Sequence, residues 1–319
     1  MRFFRAGARP GVIGSRIAYP WQGVLLATLA SALWGLAPVA LKMTLAGYSP
    51  EIISPIRLGL AAVIFRALAG REGRWLPRDA WSWIGGVGLG VDFILYHYGV
   101  RLTTAGVAGL VINVEVVATI ALAVWLLGER LTRRRIAGSL VTLAGVLYVA
   151  TEGAALGDLL AREHVLGNAL IMLAGIAWSV FAVAQRRVPR RGNLFVLLAP
   201  IFSVAALTTV PLLILPSALR GTGGLVPTLM LGALILLCTA AVYFIYARCQ
   251  EMVDVSVLAV VLSSIPVFAV LFAWLLLAEP LTRRVILGGV VILAGILLIT
   301  TERAPSKAIT PGEAPFLAQ

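Results

Sequence analysis

The sequence predicts an all-α integral membrane protein of ten transmembrane helices, arranged as two inverted five-helix repeats. Three observations carry that expectation: apolar runs long enough to cross a bilayer, a duplication at a fixed offset, and a charge pattern that alternates between loops. The chain has 319 residues, 60% hydrophobic and 13% charged, with a mean hydropathy of +0.98. A water-soluble chain of this length needs far more charged surface to cover its cores.

Taken in order, the first half gives apolar segments at 23–46, 54–70, 81–101, 105–127 and 132–151. The second half gives 165–185, 194–216, 225–248, 255–277 and 282–301. Each is near the 20 or so residues that a helix needs to span hydrocarbon. Gly, Pro and Arg clusters separate them: Arg71 to Pro77, Glu129 to Arg135, Arg186 to Arg191, and Arg220 to Gly224. Residues 1–22 read as a cytoplasmic tail ahead of an uncleaved span, since no small-residue cleavage site follows Arg2, Arg5, Arg9 and Arg16. Residues 303–319, with Pro305, Pro311 and Pro315, read as a disordered cytoplasmic tail.

The duplication is visible residue by residue. Glu129, Leu131, Thr132, Arg134 and Gly138 recur as Glu279, Leu281, Thr282, Arg284 and Gly288, each 150 positions later. Such self-similarity makes residues 23–152 and 164–302 two copies of one unit. With the N-terminus inside, alternate loops carry 19 Lys and Arg on the cytoplasmic side against seven outside, Arg57 among the seven. Five spans per unit is an odd number, so the second copy enters the membrane in the opposite sense. Inverted repeats around a midplane site are a transporter device, because the two halves can exchange conformations. The plainer alternative is a duplication that only builds a stable bundle.

Several function classes are excluded or made remote. The net charge of +12 comes from short basic segments between apolar runs, which is topology signal and not a nucleic-acid surface. Two cysteines, Cys238 and Cys249, give neither a disulfide framework nor metal spacing. No nucleotide-binding signature is present, and no cofactor or metal is expected. An intramembrane enzyme acting on lipid needs clustered His and acids or a Ser–His pair, and the chain has only His97 and His164. A non-selective channel is argued against by the inverted duplication.

Charged groups inside an apolar span cost about 2.5–3.5 kcal/mol on insertion scales, so they are functional candidates. Glu115 lies mid-way in the fourth span with Thr119 one turn on. It carries a proton or a substrate amine, or else packs helices as a hydrogen-bonded acid. Asn113 is offset from it by roughly 200° on a helix and shares a stripe with Gly106 and Gly109, which suits interhelical packing. Asp92 sits mid-way in the third span between Gly88 and Tyr96, suiting either a wet cavity or a buried Asp–Tyr bond. His97 lies near that span's outer end, as a substrate contact or a structural histidine. Asp92, His97 and Glu115 are the candidates for proton coupling. The first and sixth spans carry similar stripes, Trp34-Pro38-Lys42 and Trp178-Ala182-Arg186. Trp34 and Trp178 are too deep for the interfacial belt and either fill helix contacts or offer ring faces to a solute. Tyr243, Tyr246, Ser263 and Ser264 are the second half's candidate lining. Glu129 and Glu279, at span ends, read as ion pairs or loop locks. No paired Lys or Arg is expected at mid-membrane, which argues against a phosphate carrier. Gly85, Gly86, Gly88 and Gly90 would pack either within one chain or across a dimer, leaving monomer and homo-oligomer both open.

With these residues in view, the chain resembles the drug/metabolite transporter superfamily, with two EamA-type domains. The resemblance covers about 22–302 and rests on Ala32-Leu33-Trp34-Gly35, on Tyr98 to Ala108, on Trp125 to Thr132, and on Ser264-Ile265-Pro266 with Ala278 to Thr282. It implies a ten-helix fold and solute movement, usually export, through a central cavity lined by both halves. Aromatic amino-acid exporters within it share this layout. One departure stands out: Val116 follows Glu115 where the family often has proline, while Pro266 is kept in the second copy, so a softer kink is expected in the fourth span. The expected partners are a small-molecule substrate and the lipid bilayer of the cell membrane. Amino acids lead as substrates, with drugs and nucleobase-like metabolites as the alternative.

Overall fold

The computed structural model describes residues 20–127, 132–151, 163–188, 194–252, 258 and 261–300. The expectations for Glu129, for most of the N-terminal tail and for 303–319 fall outside these residues. Every regular element among them is helical. The first repeat comprises α1 (Pro20–Thr44), α2 (Pro50–Leu68), α3 (Ala80–Leu102), α4 (Ala105–Val111), α5 (Val114–Leu127) and α6 (Arg133–Ala150). The second comprises α7 (Glu163–Arg187), α8 (Leu194–Thr209), α9 (Leu225–Ile235), α10 (Val242–Met252), α11 (Ile265–Leu277) and α12 (Arg283–Thr300).

Among the described residues, six helical stretches are long and apolar enough to cross a membrane: Trp21–Thr44, Ala105–Leu126, Glu163–Gln185, Leu194–Ile214, Leu225–Tyr246 and Arg283–Thr300. The shorter or more polar helices pack with them. Helix α2 carries Glu51, Arg57 and Arg66, and α6 opens on three arginines. The duplicated Leu-Thr-Arg-Arg motif now has a local explanation. Thr132 caps α6 by accepting from the Arg135 N–H at 3.2 Å, and Thr282 caps α12 by accepting from the Val285 N–H at 3.2 Å. A hydroxyl at the N-cap satisfies a backbone donor that the helix leaves free.

Small residues set how closely helices approach. Helix α6 lies along α12 through Gly138, Gly145, Gly288 and Gly295, so the last helix of each repeat packs on the other. Helix α3 lies along α7 and α8. A methyl added at Gly86 would come within 2.5 Å of Val204 Cβ, and one at Gly90 within 2.7 Å of Thr208 Cβ. The glycine stripe of α3 therefore packs within the chain. The continuation from α9 to α10 is not regular: Leu236–Ala241 form a π-turn.

Two apolar cores result. One is mainly aliphatic, with Leu41, Ile53, Val100, Leu110, Val149 and Ile292. The other is aromatic, with Phe65, Phe93, Phe181, Phe195, Phe202 and Tyr243. Along α1 and α3 the change from one core to the other falls near Trp34 and Tyr96. That level is where the polar side chains gather.

Candidate functional site

The fourth span breaks between α4 and α5. Ile112 and Asn113 form a turn, closed by Asn113 N–H to Leu110 O at 3.2 Å and Glu115 N–H to Ile112 O at 3.0 Å. The Asn113 amide donates to Gly109 O at 2.9 Å and to Leu110 O at 3.0 Å. This corrects two sequence expectations. Asn113 bonds to its own span and not across helices. The span is also interrupted without proline, because the asparagine side chain takes up carbonyls that the interruption releases. The second repeat breaks within one residue of the matching place, 151 positions on. Ser263 and Ser264 form the turn, and Ser264 Oγ donates to Val261 O at 2.6 Å ahead of Pro266 in α11.

The break places Glu115 in the first turn of α5, at the level where the two cores meet. Asp92 on α3 stands within electrostatic reach of it, and Tyr96 and Tyr243 stand within reach of both. Trp34 meets Tyr243 edge-on at 5.8 Å and Tyr246 at 5.5 Å. Among the described residues, the carboxyls of Asp92 and Glu115 and the hydroxyls of Tyr96, Tyr243 and Tyr246 make no hydrogen bond. None is among the sealed, unbonded polar atoms of the interior. Buried polar groups are nearly always bonded, so these five groups, unbonded and unsealed, mark the chamber where water or a solute would be held. Helices α1, α3, α5 and α10 supply it, from both repeats.

Other candidates lie elsewhere. Thr119 Oγ1 donates to Ser179 Oγ at 3.1 Å, and Ser179 donates on to Glu115 O and Gly175 O, tying α5 to α7. Pro38 is buried, 3.7 Å from where a Cβ on Gly109 would sit. Trp178 packs edge-on against Phe181 at 5.0 Å, beside the aromatic core. His97 is fully buried, with Nδ1 2.7 Å from Ser54 Oγ.

The partner of His97 on its other side is the residue that sequence reasoning missed. Arg57, counted there as a loop charge, is 6% exposed. Its helix begins at Pro50, not at 54, which puts the guanidinium two turns inside. Nε donates to Thr239 Oγ1 at 3.1 Å, Nη1 lies 3.4 Å from His97 Nε2, and the charge stands 4.7 Å from the centre of the Phe93 ring. The reading of Arg57 as an outside loop charge is therefore corrected. The only signal available was an arginine three residues inside an apolar run whose edge was uncertain by a turn.

At the end of the bundle where α1 finishes, two charges hold the α3–α4 elbow. Glu279 accepts from the Ala105 N–H at 2.7 Å and the Gly106 N–H at 2.8 Å, capping α4 from the opposite repeat. Lys42 donates to Val100 O, Arg101 O and Thr103 O at 2.9, 3.3 and 2.5 Å, capping α3. Each charge has the sign that its helix end favours. Glu51 makes a third tie, accepting from the hydroxyls of Tyr98 at 2.6 Å and Ser217 at 2.7 Å. No cluster of three His, Cys, Asp or Glu able to hold a metal occurs among the described residues.

A solved crystal structure with 22% identity superposes with a TM-score of 0.61, covering 87% of this chain and 96% of its own, which speaks to fold alone. A protein of Archaeoglobus fulgidus described as an uncharacterized transporter is 25% identical over 284 residues, 88% of this chain and 99% of that one. The EamA-like transporter family matches the sequence twice, at residues 21–151 and 165–301. With both halves matched, the chain belongs to the EamA-like transporter family and is a multi-pass membrane transporter.

Proposed function

We propose that this protein is a secondary transporter that exports a small organic solute, with large neutral and aromatic amino acids as the leading substrates. Ten spans in two inverted repeats would work by alternating access, with both termini cytoplasmic in the cell membrane. The observation that carries the reading is the cluster of unbonded, unsealed polar groups between the two cores. It presents two carboxyls, three phenols and the Trp34 indole, drawn from both repeats. Carboxyls suit an ammonium group, and ring edges and faces suit an aromatic or apolar side chain. The contacts are few enough for release on either side. No bond-making chemistry is assigned to the site, so the protein is read as a carrier and not an enzyme. Asp92 and Glu115 are the groups able to couple flux to a proton gradient.

The test is counterflow in proteoliposomes with the purified full chain and labelled amino acids, with and without a pH gradient. Saturable exchange of phenylalanine or leucine is expected, reduced at least about tenfold by Trp34→Ala. Absence of exchange with every amino acid would sink the substrate class and turn the search to drugs and nucleobases.

A further inference from the structure

A buried guanidinium that forms no ion pair keeps donors free for an anion. Arg57 is in that position. Among the described residues it forms no ion pair, although Asp92 stands within electrostatic reach. Three groups hold it from one side. Thr239 accepts from Nε and passes its own hydroxyl proton to Leu234 O at 2.8 Å, a five-residue bond of the π-turn. Arginine can only donate, so His97 Nε2 must be the acceptor for Nη1. The ring proton then sits on Nδ1 and is donated to Ser54 Oγ, and Ser54 donates to Pro50 O at 2.9 Å. Every donor in that chain finds an acceptor, with the imidazole neutral. Phe93 covers a face of the charge. What is left is the second N–H of Nη1 and both of Nη2, and Nη2 makes no bond and is not a sealed atom. A positively charged group nine-tenths buried, fixed through Nε and Nη1 and open at Nη2, is built to receive a ligand. Tyr96 and Tyr243, both members of the chamber, stand within electrostatic reach of it.

We propose that Arg57 is the anchor for the carboxylate of the transported solute, positioned by His97 and Thr239. The inference deepens, and as a transport claim rests on, the amino-acid reading above. Charge balance favours a monoanion: Asp92 and Glu115 share the chamber and would repel a dianionic phosphate, while giving an ammonium group a counterpart. A zwitterion satisfies both ends. The repeats do not share this feature, since position 207, the equivalent of Arg57, is leucine.

The test is thermal unfolding of the purified full chain, titrated with L-phenylalanine, L-phenylalaninamide, 3-phenylpropanoate, phenethylamine and inorganic phosphate. L-Phenylalanine and 3-phenylpropanoate are expected to bind at least about tenfold more tightly than the amide and the amine. Arg57→Lys, which keeps the charge but loses the planar fork, is expected to remove that preference, and Arg57→Gln to do so more completely. Equal binding of acid and amide to the wild type overturns the proposal without any variant, as does an unchanged preference in Arg57→Lys. Phosphate binding as tightly as the carboxylates overturns the carboxylate assignment. Counterflow separates the two claims. Carboxylate binding through Arg57 without amino-acid exchange refutes the transport reading and leaves the subsite. Exchange of phenylalanine that the amide inhibits equally well refutes the subsite and leaves the transport reading.

Discussion

Helix α3 and the α9–α10 span are equivalent elements of the two repeats, and they have diverged in opposite directions. Where α3 has Gly85, Gly86, Gly88 and Gly90, its counterpart has Ile235, Leu236, Cys238 and Ala240. The glycines bring α3 into close contact with α7 and α8. In the counterpart the same stretch is the π-turn, and Leu236 faces outward, 56% exposed. One copy has become a rigid wall. The other has an irregular turn that offers Thr239 to Arg57. Such π-turns are often found at functional sites, because the extra residue re-aims side chains. The charges divide likewise: Arg57, Asp92 and Glu115 all belong to the first repeat, while the second contributes the tyrosines Tyr243 and Tyr246. Symmetry of path has been kept while the chemistry has separated.

The most damaging way to break this comparison is Gly86→Leu. Overpacking against Val204 is expected to cost about 3 kcal/mol or more, seen as loss of monodisperse protein in size-exclusion chromatography. Leu236→Ala, at the equivalent position, is expected to stay within about 1 kcal/mol. Equal damage from both would mean that the two spans are packed alike. Thr239→Val keeps the shape but leaves Arg57 Nε without an acceptor, and a loss of about 1–3 kcal/mol is expected in reversible denaturation. A neutral outcome would show that the π-turn is not tied to Arg57. Glu279→Gln should cost about 0.5–2 kcal/mol by weakening the charged cap on α4. Its signature is faster hydrogen exchange at Ala105 and Gly106, and unchanged exchange there would discount the cap. The smallest effect concerns the two span breaks. Val116→Pro reproduces the proline of the second repeat in the first turn of α5 and removes the Val116 N–H bond to Asn113 O at 3.1 Å, so a loss of about 1 kcal/mol is expected. A large loss would show that the two breaks differ in backbone and not only in side chain.

Much of the fold was readable because apolar length and a 150-residue repeat are properties of the chain itself. The chamber was partly readable too: Asp92, Tyr96, Glu115, Tyr243 and Tyr246 stand out as polar groups in apolar runs. Arg57 was hidden by the edge of its span. A helix that starts with proline and a glutamate, Pro50-Glu51, looks like a loop by hydropathy, so Arg57, its eighth residue, was counted with the loop charges. The bonds from Arg57 to His97 and Thr239 join residues 40 and 182 positions apart, and no local pattern encodes them. The break at Asn113 was missed for a different reason. Proline was taken as the sign of a kink, although an amide that accepts the burden of freed carbonyls does the same job.

The cap on α4 also sets an order in time. Ala105 is made 174 residues before the carboxylate that satisfies its N–H. At about 5–20 residues per second, the ribosome needs roughly 10–35 s to cover that distance. Through that interval the elbow between α3 and α4 has its donors open, and unpaired backbone groups are not tolerated in hydrocarbon. The nascent first repeat must therefore keep this corner at the wet surface, or in the care of the insertion machinery, until the second repeat arrives to close it.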